Sequence, residues 1–511
     1  MECSVSFARP RPVARVARGA TYLFFQGLVC SVIGVVYFVV LVRLLTPEEM
    51  GVYAVLTFLL ALVQVLGTLA LPSAAVKYIA QYMAQGKLKE ARSVVARVLQ
   101  VSVLASALLS VLLFASSGPL SILLSGTSVW VFQALAFASF FTVLQIQAGS
   151  FLQGLQRMRE VAAVQLTYAV VEKFLAVYLL YAGWGLLGVV YGWLVGLIVS
   201  SLVGLVLTAK LLGILEKPHP AKPLVAFSYP LYVSGILGFA AGWVDQLFIL
   251  PYMGAAYLGM YHVAIRAAVV PGLVSSSIVA ALFPQLSELY AQQGADGLRD
   301  AFQVSTRYTV LVSFPMILGL AALAYPLLIL FAGMEYAEAA LPLTVLCLAA
   351  LPGALGIAIV PALLTLERTK TASMVTVVSI LSNTVMCYVA LAYLNLGMFG
   401  VAWARVFSSF AGFGLGVYAL RRVIKVAFDK ESLWKASLSS IIMTTVVVLV
   451  EVLLFHLYFL PLYVIVGFSA YFLSLVGLKA VKKHDVELVH EYLPSWLKRV
   501  AVWLSRVAVA E

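Results

Sequence analysis

"LLTPEEMGVYAV", residues 44–55, interrupts an otherwise apolar stretch of sequence with one proline and two glutamates. A degenerate copy, "PYMGAAYLGMYHVAI", occupies residues 251–265 and puts Gly259 and Tyr261 where the first has Gly51 and Tyr53, an offset of 259 − 51 = 208. Pro47 predicts a helix start, because its missing amide would have no partner in the first turn anyway. Glu48 and Glu49 then fall where the helix dipole favours acids, and Gly51 lets neighbouring backbones approach. The stretch reads as the outer closure of a helical hairpin that occurs twice.

The surrounding composition fixes the solvent. Of 511 residues, 63% are hydrophobic and only 11% charged, with a mean hydropathy of +1.05, beyond what polar surface can cover in water. The apolar runs are continuous rather than alternating, which predicts helices and not a barrel. Fourteen spans are expected, at about 21–44, 51–72, 98–117, 129–152, 160–182, 186–209, 225–250, 259–288, 304–331, 340–365, 371–394, 398–420, 434–457 and 461–479. The first follows Arg9, Arg11, Arg15 and Arg18 and is too long for a cleaved signal segment, so it is expected to stay.

Lys and Arg collect in alternate loops. They occur at the N-terminus, at Lys77 to Arg97, at Arg157 and Arg159, at Lys210 to Lys222, at Arg299, at Arg368 and Lys370, at Arg421 to Lys430, and at Lys479 to Lys483. The intervening loops carry acids (Glu48, Glu49, Glu335, Glu338) or no charge, so both termini are expected in the cytoplasm of a cell bounded by this plasma membrane. The net charge of +12 is topological and does not mark a nucleic-acid partner.

Four further landmarks recur in order. "QYMAQG" (81–86) matches "LYAQQG" (289–294), "LKEA" (88–91) matches "LRDA" (298–301), "LQRMR" (155–159) matches "LERTK" (366–370), and "GLLGV" (185–189) matches "GMFGV" (397–401), at offsets of 208 to 212. A drifting but ordered offset predicts duplication of a six-helix unit. An even count gives both copies the same orientation, with a central cavity expected between them. The expected organisation is an all-α integral membrane protein: a six-helix lobe in 1–215, a second in 216–425, two additional helices in 426–480 and a cytoplasmic amphipathic tail in 481–511. Trp496, Val500, Trp503 and Val507 form one stripe of that tail and predict an interfacial helix.

"RLLTPEEMGVYAV", "GWVDQLFILPYMGAAYLGMYHVAIR" and "FPQLSELYAQQ" resemble the signature segments of polysaccharide and lipid-linked oligosaccharide flippases. That superfamily also holds the lipid II flippase and the multidrug and toxin extrusion exporters. The resemblance spans roughly residues 15–480. It implies two six-helix lobes around a cavity that opens alternately to each side, moving a polyprenyl (pyro)phosphate-linked glycan from the inner to the outer leaflet. It also implies that Arg266 lines that cavity.

Ionisable residues within spans are costly and therefore functional candidates. They are Arg43, Glu172, Lys173, Asp245, Arg266, Arg405 and Glu451, with Arg307 near an inner end. Asp245 and Arg266 sit at similar depth on consecutive spans, so they are expected to pair, with Asp245 holding Arg266 when no anionic head group is present. An ion pair of purely structural use is the competing reading. Glu172 and Lys173 correspond to Asn383 and Thr384 at offset 211, a polar position kept in both copies. Adjacent helical residues diverge by about 100°, so only one of Glu172 and Lys173 is expected to face the cavity. Arg43 is a cavity group or an interfacial anchor.

The candidate cargo site is thus Arg266, Arg405, Asp245, Glu172, Lys173, Arg43 and Asn383. No catalytic set, metal spacing, cofactor motif or phosphate loop is present: Gly86 and Lys87 lack the rest of one, and the five histidines are scattered. The expected protein is a transporter and not an enzyme, a monomer whose partners are the glycolipid and membrane lipids. A cation-coupled exporter of small lipophilic cations is the alternative; it would bring in a coupling cation held by Glu172 or Asp245.

Overall fold

The computed structural model describes residues 12–124, 126–213, 216–424, 428–454, 456–482 and 509–510, without side chains for 12–18, 273–287, 291, 481–482 and 509–510. Apart from a two-residue parallel pair, Val481–Lys482 with Val509–Ala510, the regular structure is helical. The stretch after Pro494, expected as an interfacial helix, lies outside the described residues but for that pair.

The chain divides into two compact units, Met1–Phe239 and Ala240–Glu511. The first contains α1 (Pro12–Leu44), α2 (Pro47–Thr68), α3 (Leu71–Ala84), α4 (Leu88–Ala115), α5 (Ser117–Leu123), α6 (Val129–Gly154), α7 (Met158–Leu179) and α8 (Gly185–Leu211). Helix α9 (Ala221–Met253) contributes its start to the first unit and its end to the second. The second unit continues with α10 (Ala255–Ala268), α11 (Val270–Ala322), α12 (Ala324–Phe331), α13 (Ala340–Leu355), α14 (Ile359–Thr365), α15 (Thr369–Tyr388) and α16 (Gly397–Arg421). It ends with α17 (Lys430–Leu453) and α18 (Leu460–Gly477).

The start of α2 follows the sequence reading and adds to it. Pro47 opens the helix; Thr46 Oγ1 accepts from the Glu49 amide at 3.3 Å, while Glu49 Oε2 accepts from the Thr46 amide at 3.0 Å. This reciprocal cap satisfies two backbone donors where no intrahelical acceptor exists. At the corresponding place in the second copy, α10 begins after Gly254 at φ +91 with no side-chain cap.

Backbone conformations recur at the offsets of the expected duplication. Left-handed φ values recur at Gly86 and Gly294, at Gln156 and Glu367, at Gly183 and Asn395, and at Gly185 and Gly397, with offsets of 208, 211, 212 and 212. A π-helical turn ends α7 at Leu180–Trp184 and another ends α15 at Val389–Tyr393. Glycines bring the next helix close in both copies. A Cβ on Gly192 would lie 2.6 Å from Ala176 Cβ, and one on Gly400 would lie 3.0 Å from Ala390 Cβ. Between membrane helices, where hydrocarbon outside is as apolar as the interior, such small-residue contacts are a main source of association. Helices α17 and α18 are additional to the repeat; Met443, Val447, Tyr463 and Tyr471 pack with Leu323 into one cluster.

Large apolar side chains remain exposed along helices such as α1 (Phe24, Phe25, Val35) and α4 (Leu104, Leu108, Val111), as a hydrocarbon solvent permits. Twelve segments among the described residues are long and apolar enough to cross a membrane. One of them, Met158–Leu211, contains both α7 and α8, and the span expected at 259–288 is not among the twelve. The expected count of fourteen is therefore not established by these segments.

Candidate functional site

Two polar networks begin at adjacent residues of α9. Asp245 is fully buried, and its Oδ2 accepts from Arg405 Nη1 at 2.5 Å and from Tyr261 Oη at 3.1 Å. Its Oδ1 accepts from the Gln246 amide at 3.0 Å. Arg405, on α16, keeps 28% of its side chain exposed. In the second network Gln246 Oε1 lies 2.7 Å from His262 Nδ1, and Arg266 Nε lies 3.3 Å from His262 Nε2. Arginine can only donate, so His262 Nε2 accepts and Nδ1 carries the proton given to Gln246. The Trp243 ring stacks on the His262 ring, centroids 6.1 Å apart. His262 is buried, whereas Arg266 is exposed.

The α9–α10 hairpin explains this register. The turn at Gly254 folds α10 back so that residues sixteen apart meet, pairing Asp245 with Tyr261 and Gln246 with His262. The expected partnership of Asp245 with Arg266 does not form. Tyr261 occupies the face toward Asp245, and Arg266, one turn further along α10, reaches back to His262. Arg405 takes the carboxylate instead.

The other candidates are distributed as follows. Glu172 is buried on α7 and pairs with its own neighbour, Lys173 Nζ to Glu172 Oε2 at 3.0 Å. The flexible lysine stem overcomes the 100° divergence, and its ammonium also lies 5.7 Å and 5.9 Å from the Tyr37 and Tyr168 ring centroids. Asn383 is buried on α15, its Oδ1 3.5 Å from Cys387 Sγ. Arg43 is exposed in the last turn of α1. Arg307 forms a 3.8 Å pair with Asp429, and Glu451 has no ion pair among the described residues.

Sequence reasoning missed Tyr261, Gln246 and His262 as parts of the site. The signal was present: two polar residues directly follow one another on each arm of a hairpin. The repeat offset adds a second view, since Tyr37 and Asp245 are related by 245 − 37 = 208, Tyr53 and Tyr261 by 208, and Trp193 and Arg405 by 212. Tyr53 and Trp193 touch in the first copy, ring centroids 5.5 Å apart, just as Tyr261 and Arg405 converge on Asp245 in the second.

A family model described as "Polysaccharide biosynthesis protein" matches residues 40–341, more than half of the chain. The chain belongs to this polysaccharide biosynthesis family. The matched region covers Asp245, Tyr261, His262 and Arg266; Arg405 lies beyond it. The chain is 23% identical over 441 residues to a probable low-salt glycan biosynthesis flippase, Agl15, of Haloferax volcanii, covering 84% of this chain and 89% of that one. It is 27% identical over 314 residues to the succinoglycan biosynthesis transport protein ExoT of Rhizobium meliloti, covering 59% of each. Among solved structures, its fold is similar to that of the lipid II flippase MurJ in an inward closed conformation, with TM-score 0.72, 18% identity and coverage of 90% and 98%. It is also similar to an inward-facing multidrug resistance MATE transporter, with TM-score 0.63, 15% identity and coverage of 79% and 99%. This member of the polysaccharide biosynthesis family thus has the all-α fold shared by flippases and multidrug transporters.

Proposed function

We propose that this membrane protein is a flippase that carries a polyprenyl (pyro)phosphate-linked oligosaccharide or polysaccharide repeat unit from the inner to the outer leaflet by alternating access. The observation that carries the reading is the Arg405 guanidinium, on a side chain that is partly exposed, held by a fully buried Asp245. Such a cation is available to a phosphate, and bidentate phosphate binding suits the planar guanidinium. If Arg405 leaves, Asp245 keeps two donors, Tyr261 Oη and the Gln246 amide, so the exchange does not strip the carboxylate bare. Arg266, exposed and steadied by His262, offers a second cation. The family membership and the glycan-export relatives support the same cargo class.

A glycan cannot cross hydrocarbon with its hydroxyls unpartnered, each costing about 2–7 kcal/mol, while the prenyl chain stays in lipid. Outward movement of two negative charges is favoured by an inside-negative potential, by about 4.6 kcal/mol per 100 mV. A coupling cation is therefore not required by the energetics. Asp245 is already neutralised by Arg405, which argues against its serving as the acid of a lipophilic-cation exporter.

The test is flipping of a fluorescent polyprenyl-pyrophosphate oligosaccharide in proteoliposomes. Arg405→Ala and Arg266→Ala are each expected to lower the rate at least about tenfold, the worth of one charge-assisted bond. Unchanged glycolipid flipping, or loss of lipophilic-cation efflux in its place, overturns the reading.

A further inference from the structure

A cavity of about 320 Å³ opens where α15 begins and α16 ends, with Arg368, Thr371, Met374, Tyr418, Ala419 and Arg422 among its lining. Arg368 immediately precedes one candidate span, Thr369–Tyr393, and Arg422 immediately follows another, Gly397–Arg421. Both arginines therefore stand at the same end of these two antiparallel spans, with Ala419 less than one turn and Met374 about one and a half turns further in. The Arg422 guanidinium donates to Tyr418 Oη and lies 4.6 Å from that ring, which fixes its direction.

The duplication shows what is different here. In the first copy the residue matching Arg368 is Arg157 (368 − 157 = 211), and it forms a 3.7 Å pair with Glu160. The position matching Glu160 is Thr371 (371 − 160 = 211). The second copy thus keeps the cation, replaces its acid by a hydroxyl, and has the forked guanidinium of Arg422 where the first has the ammonium of Lys210. Arg368 has no side-chain ion pair or hydrogen bond among the described residues, and its neighbour in sequence, Glu367, does not pair with it. Lys370 and Arg421 add two further cations to this edge.

We infer that this cavity is a binding site for an anionic glycerophospholipid of the inner leaflet, its phosphate between Arg368 and Arg422 and one acyl chain along Met374 and Ala419. Two guanidinium groups and a threonine hydroxyl match phosphodiester oxygens, and Leu363, Met374, Leu415 and Ala419 give the same cavity an apolar wall. The surplus of cations over Glu367 selects an anionic head group over a zwitterionic one. The site is separate from Asp245 and Arg405 and does not depend on what the protein transports.

The experiment is native mass spectrometry of the full chain in micelles containing equal amounts of phosphatidylglycerol and phosphatidylcholine. Retention of phosphatidylglycerol over phosphatidylcholine is expected to fall about tenfold in Arg368→Gln and in Arg422→Gln, as for loss of one charge-assisted bond. Thr371→Glu, which keeps both arginines and restores the first copy's acid, is expected to cause the same fall, and Arg157→Gln none. Unchanged selectivity in Thr371→Glu overturns the inference. So does displacement by inorganic phosphate without any phosphatidylglycerol preference, or exclusion of phosphatidylglycerol by a polyprenyl phosphate that needs both arginines.

Discussion

Equivalent positions in the two repeats carry different chemistry. Tyr37, Tyr53 and Trp193 make an aromatic group in the first copy, where Asp245, Tyr261 and Arg405 make an ionic one in the second. The first copy does hold a charge pair, Glu172 with Lys173, but both partners belong to one helix. The second copy's pair joins α9 to α16, residues 160 apart in sequence. A pair between consecutive residues links helices only through further contacts, here Lys173 over the Tyr37 ring of α1, whereas one between helices couples the position of each directly to the charge state of the other. The two copies thus share a set of backbone turns and differ in the side chains placed on it, and the proposed capacity to answer an anion rests on the second copy's side chains.

The largest effect is expected from breaking the ionic copy. Arg405→Gln leaves Asp245 buried without its cation and should lower stability by about 3 kcal/mol, read as thermal melting in detergent. Asp245→Asn combined with Arg405→Gln should recover most of the melting temperature, yet not the flipping rate. Recovery of both would reduce the pair to a structural one.

A smaller effect separates the two tyrosines. Tyr261→Phe removes a hydrogen bond to a buried carboxylate, worth about 1.5–3 kcal/mol, while Tyr53→Phe keeps the ring that packs on Trp193 and is expected to cost less than half as much. Equal losses of melting temperature would mean that the copies differ less in energy than in composition.

The smallest effect concerns the hairpins themselves. Thr46→Ala deletes the cap of α2 at a cost of about 1 kcal/mol. It should speed amide exchange at residues 48–50. The second copy has no such cap to lose at Gly254, so a matching change in exchange at the start of α10 would refute the contrast.

What was legible in the sequence follows one physical line. Apolar runs and helix starts at proline are decided by solvent and by local backbone preference, so the helical membrane class could be read from composition and the expected duplication from residues 44–55 and their copy. The cationic candidates were also legible, because charge within an apolar run is conspicuous wherever it points. Partnership was not. Asp245 and Arg266 share a depth, but depth is one coordinate of a helical residue and azimuth is the other. The sequence by itself determined which charges enter the membrane, since that depends on composition along the chain. Only the tertiary structure decided that Arg405 meets Asp245 and that His262 meets Arg266, because rotation about each helix axis is set by packing against helices far away in sequence.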